Sequence, residues 1–359
     1  MEKPMSRFFS KKHSLLVPYT PGEQPKDMQY IKLNTNESPY PPSSAVALAV
    51  AMETKKLQLY SDPECTELVC KIAEVYGVES RNVIVSNGSD EILNFAFIAF
   101  ADNESPLVFP DITYGFYPVF ANLNGIPYNE IPLKDDLSVN AKDYVGVGKT
   151  VVLANPNAPT GLCLSVSEIE EIVSSNPDNV VIIDEAYVDF GAESVVPLTK
   201  KYENLLVVQT FSKSRSMAGA RVGFAIGSEK LIADLNTVRY STNPYNVNRM
   251  TMAAGVAALS QNEYYMENCK RIAENREYTK RELERLGFST LDSRANFLFA
   301  KSGRIGGREL YLALKQKGIL VRYLGAERIS EYNRISIGPR DQMEKFVSVL
   351  EEILKEREK

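Results

Sequence analysis

Lys213 closes the segment Thr210-Phe211-Ser212-Lys213, directly after the apolar run Leu205-Leu206-Val207-Val208. An amine flanked by hydroxyls has the chemistry to form a Schiff base with a carbonyl when nearby charge or desolvation favours its neutral form. Arg221 follows in the glycine-punctuated stretch Gly219–Gly223 and supplies a second cation. Asp184 ends another apolar run, Val180-Val181-Ile182-Ile183, and leads into Glu185-Ala186-Tyr187. A buried acid needs a partner to offset its desolvation, and a carboxylate there suits a protonated pyridine nitrogen. The segment Ser86-Asn87-Gly88-Ser89-Asp90-Glu91 joins a strand-like run to a helical one, an arrangement that binds anions on free backbone N–H groups. Asn155-Pro156-Asn157-Ala158-Pro159-Thr160-Gly161 is a rigid turn after Leu153, and Tyr114 offers a flat face on which a ring can stack.

Each segment alone has an ordinary reading: a surface lysine, a capping Asp, Ser and Asp as helix N-caps, a Pro-rich loop, a core tyrosine. Together they specify an anion cradle, an aromatic platform, a buried acid, an amine nucleophile and a second cation. That is the set a pyridoxal phosphate site requires.

The elements that must position these groups are legible as an alternation. Val83-Ile84-Val85, Val151-Val152-Leu153, Val180–Ile183 and Leu205–Val208 read as buried strands, with helix-period stretches at 89–100 and 165–175 between them. Continuous apolar strands separated by helices predict an α/β fold with a mostly parallel sheet covered on both faces. The polar segments follow directly on these strands, and open parallel sheets bind ligands at the carboxyl ends of their strands. Residues 1–44 read as an extended N-terminal arm, 45–270 as a large domain, and 271–359 as a smaller α+β domain approached through a charged helical stretch at 262–286. In the smaller domain, strands are expected at Asn296–Ala300, Ile319–Val321 and Arg334–Ile337, and helices at 307–317 and 340–356.

Composition narrows the chemistry. The chain has 359 residues, 44% hydrophobic and 24% charged, with 41 Lys+Arg against 46 Asp+Glu. This is an ordinary globular composition, long enough for about two domains. The net charge of −5 argues against nucleic acid or anionic membrane as partners. No apolar run approaches the roughly 18 residues of a membrane-spanning helix. Four cysteines form no disulfide framework, and without an evident signal peptide the expected setting is the reducing cytoplasm. Cys65 and Cys70 lack a second such couple, so no metal site is expected, and Cys163 and Cys269 are expected as core fillers. The single histidine, His13, lies in the arm. It cannot serve a Ser-His-Asp triad or a His-rich metal centre, which leaves acid–base work to other side chains or a cofactor. No GxGxxG fingerprint opens a first βα unit.

In the order and spacing of its motifs the sequence resembles the class I/II aminotransferases, pyridoxal-phosphate enzymes of fold type I, and within them the branch acting on histidinol phosphate. The similarity covers nearly the whole chain, through PYTPGEQP (18–25), LNTNESPYPPS (33–43), SNGSDEIL (86–93), NPNAPTG (155–161), DEAYVDF (184–190), TFSKSRSMAGARVGFAIG (210–227), ANFLF (295–299), GILVRYL (318–324) and RISIG (334–338). The resemblance implies that Lys213 holds the cofactor and shuttles the proton, that Asp184 meets the pyridine nitrogen and Tyr187 the phenolate oxygen, and that Tyr114 stacks on the ring. It implies Gly88, Ser89, Asp90, Thr210, Ser212 and Arg221 around the phosphate. Tyr60, in LQLYSDP, is implied to reach the cofactor of a partner subunit, hence a homodimer in which the arm also takes part. Tyr19, Asn36, Arg322 and Arg334 are implied in the substrate pocket, with the arginines on an anionic group.

The implied reaction converts histidinol phosphate and 2-oxoglutarate to imidazole-acetol phosphate and glutamate. Aromatic amino acids as donors, or decarboxylation of threonine phosphate on the same scaffold, are the alternatives, with a non-catalytic effector-binding domain a further one. The family pattern has Asn immediately before Pro-Thr-Gly, where this chain has Ala158; Asn157 is the expected substitute if the turn shifts. Arg215 is expected to be exposed.

Overall fold

The apolar runs become strands of one sheet. In the computed structural model, which describes residues 6–357, the arm carries β1 (Ile31–Lys32) and is followed by α1 (Ser44–Glu53) and α2 (Thr66–Tyr76). Then come β2 (Val83–Ser86), α3 (Ser89–Phe100), β3 (Leu107–Pro110), α4 (Phe116–Asn124), β4 (Tyr128–Ile131), β5 (Thr150–Ala154), α5 (Val166–Ser175), β6 (Val181–Asp184), β7 (Leu205–Thr210) and β8 (Gly223–Ile226). These strands form a seven-stranded sheet in the order β2-β8-β7-β6-β5-β3-β4. All run parallel except β8, which is antiparallel to both β2 and β7. No α-helix lies between β7 and β8, and a parallel pairing needs a long crossover, so β8 returns in the opposite direction.

The strands alternate with period two between two apolar layers. Val83, Val85, Val151, Leu153, Val181, Ile183, Leu205 and Val207 share one core with α2 and α5. Ile84, Val152, Ile182, Leu206 and Val208 share the other with α3 and α4. Burial on both faces is why these strands read as unbroken aliphatic runs. α6 (Glu229–Thr242) packs on the second face and α7 (Arg249–Ser260) on the first.

α8 (Asn262–Arg285) then leads to β9 (Phe288–Thr290), β10 (Phe297–Ser302), α9 (Gly307–Gln316), β11 (Ile319–Leu320), β12 (Arg322–Tyr323), β13 (Tyr332–Ser336) and α10 (Arg340–Glu356). A four-stranded antiparallel sheet, β12-β13-β10-β9, packs with these helices around Leu298, Ile335, Leu310, Phe346 and Leu350. The run Ile319–Val321 is a strand as expected, but β11 pairs in parallel with β1 of the arm instead of joining that sheet. The Leu33 N–H donates to Leu320 O at 2.8 Å, and the Ser336 N–H donates to Leu33 O at 2.9 Å. The arm is therefore wedged between β11 and β13. No described helix is long and apolar enough to cross a membrane.

Candidate active site

Three strands of the large sheet, β6 and its neighbour β7 and, beyond β8, β2, end at the floor of the site. Asp184 is the last residue of β6 and Thr210 the last of β7, while Ser86 ends β2. Asp184, Thr210, Ser212, Lys213, Tyr114 and Arg221 line one cavity of about 800 Å³, together with Ser89 and Asp90 at the start of α3. The Lys213 Nζ donates to Thr35 O of the arm at 3.2 Å and lies 5.9 Å from the centre of the Tyr187 ring. Asp184 is 4% exposed. Its Oδ2 accepts from the Tyr117 hydroxyl at 3.0 Å and its Oδ1 from the Ala186 N–H at 3.2 Å. No cation among the described side chains pairs with it, and burial pushes its carboxyl up to about 6 despite these two donors. Burial, with the nearby Asp90 charge, raises the Tyr114 phenol well above its ordinary value. Tyr114 therefore stays protonated and donates to Asp90 Oδ1 at 2.8 Å.

The α3 start is a cradle. Its N-cap, Gly88, has φ +88° and supplies no capping side chain, so the ordinary Ser/Asp capping role is not realised. A Cβ on Gly88 would stand 2.6 Å from Arg221 Nη2, and a Cβ on Gly223 would stand 2.4 Å from the Ser89 nitrogen. Glycine at both positions is what lets the helix start, β8 and the Arg221 guanidinium close on one another. Arg221 Nη2 reaches Asp90 Oδ2 at 3.2 Å and Nη1 reaches Ser212 Oγ at 3.4 Å. Free N–H groups at a helix start, two hydroxyls and a guanidinium make a donor set for a phosphate. A buried, cation-free carboxylate beside it matches a protonated ring nitrogen. The residues present therefore fit pyridoxal phosphate.

The wall comes from the arm and the four-stranded sheet. Tyr19, Asn36, Arg322 and Arg334 line a second cavity, of about 1130 Å³, that shares Lys213, Tyr187 and Tyr114 with the first. Tyr19 stacks on Phe116 with ring centres 4.2 Å apart. Arg334 faces Arg322 across β13 and β12. Its Nη2 donates to Asn34 O at 3.2 Å, while its buried Nε has no hydrogen-bond partner. Burial makes its charge costly and lowers its affinity for the proton. Arg322 is bound to the arm, donating to Thr20 O at 2.8 Å and Pro21 O at 3.1 Å.

Asn157 is not brought to the cavity. Its side chain is consumed in tying its turn to the segment after β3, accepting from Thr113 Oγ1 at 2.8 Å and donating to Ile112 O at 3.0 Å, and within the turn to Thr160 Oγ1 at 3.2 Å. The turn has not shifted: Ala158 lines both cavities and packs with Ala295, Phe297 and Tyr187. The amide that meets the Tyr187 hydroxyl is Asn36, through Nδ2 at 3.0 Å. Asn36 holds a left-handed φ of 57° and is tied down by Ser336, whose Oγ donates to its Oδ1 at 2.8 Å.

Arg215 is buried, not exposed. It turns beneath the Lys213 loop to meet Asp189 at 3.4 Å, two residues after Tyr187, and its Nε has no partner. Cys163 is at the surface instead of in the core, while Cys269 is buried as expected. Tyr60 lines neither cavity; it is 80% exposed and stacks on Tyr245 at 4.6 Å. Tyr117 and Thr35 were missed by sequence reasoning. Only the spacing Tyr114-Gly115-Phe116-Tyr117, with two tyrosines one helical turn apart, pointed toward the first. Among the described residues no His/Cys/Asp/Glu cluster could hold a metal. A further groove between α2 and α6 is lined by charges that neutralise one another, including Arg81 with Glu229 at 3.4 Å.

Residues 28–350 match the family described as aminotransferase class I and II. The histidinol-phosphate aminotransferase of Brachyspira hyodysenteriae is 49% identical over 98% of this chain and 100% of its own length. The histidinol-phosphate aminotransferase 1 of Bradyrhizobium diazoefficiens is 46% identical, covering 98% of this chain and all of its own. The crystal structure of the Sinorhizobium meliloti histidinol-phosphate aminotransferase in complex with pyridoxal-5'-phosphate superposes with a TM-score of 0.83 over 91% of this chain and 92% of that one. At 23% identity it speaks for the fold.

Proposed function

The chain belongs to the class I and II aminotransferases, a pyridoxal-phosphate-dependent family, and we propose that it moves the amino group of histidinol phosphate to 2-oxoglutarate in histidine biosynthesis. The observation that carries the reading is that Arg334, half-buried and with its buried Nε unpaired, lines the same cavity as Lys213. An anion-bearing amine held by Arg334 comes within the confines of the Lys213 amine. The curated relatives at 46–49% identity carry that activity in their names; aromatic amino acids and threonine phosphate are the competing donors.

Bound pyridoxal phosphate supplies a carbonyl to capture the amine and a ring that absorbs the electrons released at Cα. The Arg221 guanidinium, the Thr210 and Ser212 hydroxyls and the α3 N–H groups of Ser89 and Asp90 would hold its phosphate, with Gly88, whose own N–H donates to Ser86 O at 2.9 Å, leaving room beside them. The Asp184 carboxylate, oriented by Tyr117, would hold the proton on its ring nitrogen. The Tyr187 hydroxyl, positioned by Asn36 Nδ2, would hydrogen-bond its phenolate oxygen, and Tyr114 would offer its ring for stacking. Lys213 Nζ takes the substrate's Cα proton and returns it, as a general base and then an acid. Thr35 O keeps that amine in place when it carries the proton.

Tyr60 reaches across to a partner subunit in this reading. It is supported by the exposure of Leu48, Met52, Leu57, Leu59 and Tyr60 along α1 and the segment after it, an apolar surface suited to a homodimer. A cytoplasmic setting is part of the same proposal. The functional reading is tested by mixing the cofactor-loaded enzyme with histidinol phosphate alone. The expected result is a stoichiometric change in the cofactor's absorbance and release of keto product, reversed by 2-oxoglutarate. Release of carbon dioxide without keto product from threonine phosphate, and no change with histidinol phosphate, overturns it.

A further inference from the structure

One side of the substrate cavity is fixed by a single arginine. Arg328 lies in the turn Glu327–Ile329 between β12 and β13. Its guanidinium donates to Asp111 Oδ2 at 2.7 Å, to Leu133 O at 2.7 Å and to Lys134 O at 3.1 Å. It thus joins the four-stranded sheet to two separate segments of the large sheet, one following β3 and one following β4. Asp111 is committed on both oxygens, since its Oδ1 accepts from the Leu133 N–H at 2.9 Å. Beneath this joint Ile329 packs with Ile112, Leu133, Leu137 and Phe299 in a cluster of its own, apart from the main cores. Asp111, Ile112, Ala326 and Ile329 are wall of the cavity that contains Lys213 and Arg334. Among the described residues no strand pairing joins the turn to either segment. The position of this wall therefore rests on the three bonds and the small cluster beneath them.

We propose that Arg328 is a specificity-determining residue that sets how much room the cavity leaves for the substrate's side chain. The proposal rests on the reading that the amino donor occupies this cavity. A planar fork spread over three acceptors fixes distance and angle, which a lysine ammonium in the same place does not. The Arg328–Asp111 pair is partly exposed and such pairs add little to global stability, so the joint acts on local shape. When it is loosened, a side chain with the smaller imidazole ring is held less well and one with the larger phenyl ring is less strongly refused.

The test is steady-state kinetics of the cofactor-loaded Arg328→Met enzyme with histidinol phosphate and with phenylalanine. The KM for histidinol phosphate is expected to rise about 10-fold with kcat within about 3-fold, and the kcat/KM preference over phenylalanine to narrow by about 10-fold. Arg328→Lys recovers part of the KM and little of the preference. Asp111→Asn shifts both in the same direction by less, and these two variants carry the test if Arg328→Met does not fold. A preference unchanged in the variants overturns the proposal. So does an equal loss of kcat on both donors together with a lowered Tm, which is the mark of a merely structural role. A wild-type enzyme inactive on histidinol phosphate overturns the functional reading instead; the preference is then taken between alanine and phenylalanine, and an Arg328→Met enzyme with that preference unaltered still refutes the role of Arg328.

Discussion

Asp184, Thr210 and Lys213 stand at or just beyond the ends of adjacent parallel strands, while Tyr19, Asn36, Arg322 and Arg334 come from the arm and the four-stranded sheet. The first set rests on strands whose aliphatic side chains are buried on both faces. The second is held by polar bonds between residues about 300 positions apart: Asn36 to Ser336, Arg334 to Asn34, Arg322 to Thr20. A dry, fully packed floor suits groups that must keep one geometry through the chemistry, as preorganised electrostatics require. A polar wall hung on the arm suits recognition of a ligand that enters and leaves. Changes in the floor should appear in kcat and changes in the wall in KM.

The largest effect is expected at the floor. Lys213→Ala should lower kcat by at least about 10³-fold, the scale of a positioned proton carrier, with the circular dichroism spectrum unchanged; a kcat within 10-fold of wild type would break the comparison at its centre. Next comes Arg334→Met, which removes the half-buried cation of the wall. The KM for histidinol phosphate should rise about 100-fold, as for a charge-assisted contact worth roughly 3 kcal/mol, with a smaller change in kcat. A fall in kcat at unaltered KM would move Arg334 to the floor. Smaller still is the arm. Glu23, which accepts from the Tyr311 hydroxyl and the Lys315 ammonium, is partly exposed, and pairs of that kind contribute about 0–1 kcal/mol. Glu23→Gln should raise the KM of the donor by up to about 5-fold and leave kcat alone; an effect on kcat instead would mean that the arm acts on the floor.

The smallest expected effect is on stability, and it separates the two regions by pH. Burial holds the Asp184 carboxyl at about 6, whereas in an unfolded chain an aspartate ionises near 4. Between these values the folded, cofactor-free protein keeps a proton that the unfolded chain releases. Its stability therefore falls as pH rises from about 4 through 6 and levels off above that. Asp184→Asn removes this dependence, so the variant's Tm relative to wild type should be a few degrees higher at pH 8 than at pH 4.5. A difference of the opposite sign would mean that Asp184 is ionised and paired in the folded state.

The floor was legible because a polar residue that closes a run of buried aliphatics has few places to go except the end of a sheet. Asp184 and Lys213 announce themselves in this way, as do four of the sheet's seven strands. The wall was legible only through whole motifs compared with a family, since nothing local to LNTNESPYPPS says that Asn36 meets Tyr187 across 151 residues. Asn157 was assigned to the cofactor on its proximity to Pro-Thr-Gly, but buried polar groups must be paired first, and Ile112 O, Thr113 Oγ1 and Thr160 Oγ1 took the whole amide. Arg215 was expected at the surface because arginines are rarely fully buried, and its partner Asp189 lies in another motif. β8 escaped because its direction depends on a missing crossover helix, and Tyr117 because one more aromatic on α4 looks like core.

The most direct test of the account is the kcat/KM of the wild-type enzyme for histidinol phosphate, phenylalanine, tyrosine and threonine phosphate, each with 2-oxoglutarate as acceptor. Histidinol phosphate is expected to lead by at least about 10-fold, as a site built around a half-buried cation requires of a ligand that pairs with it. An equal or higher value for phenylalanine or tyrosine, or carbon dioxide as the product from threonine phosphate, would contradict it.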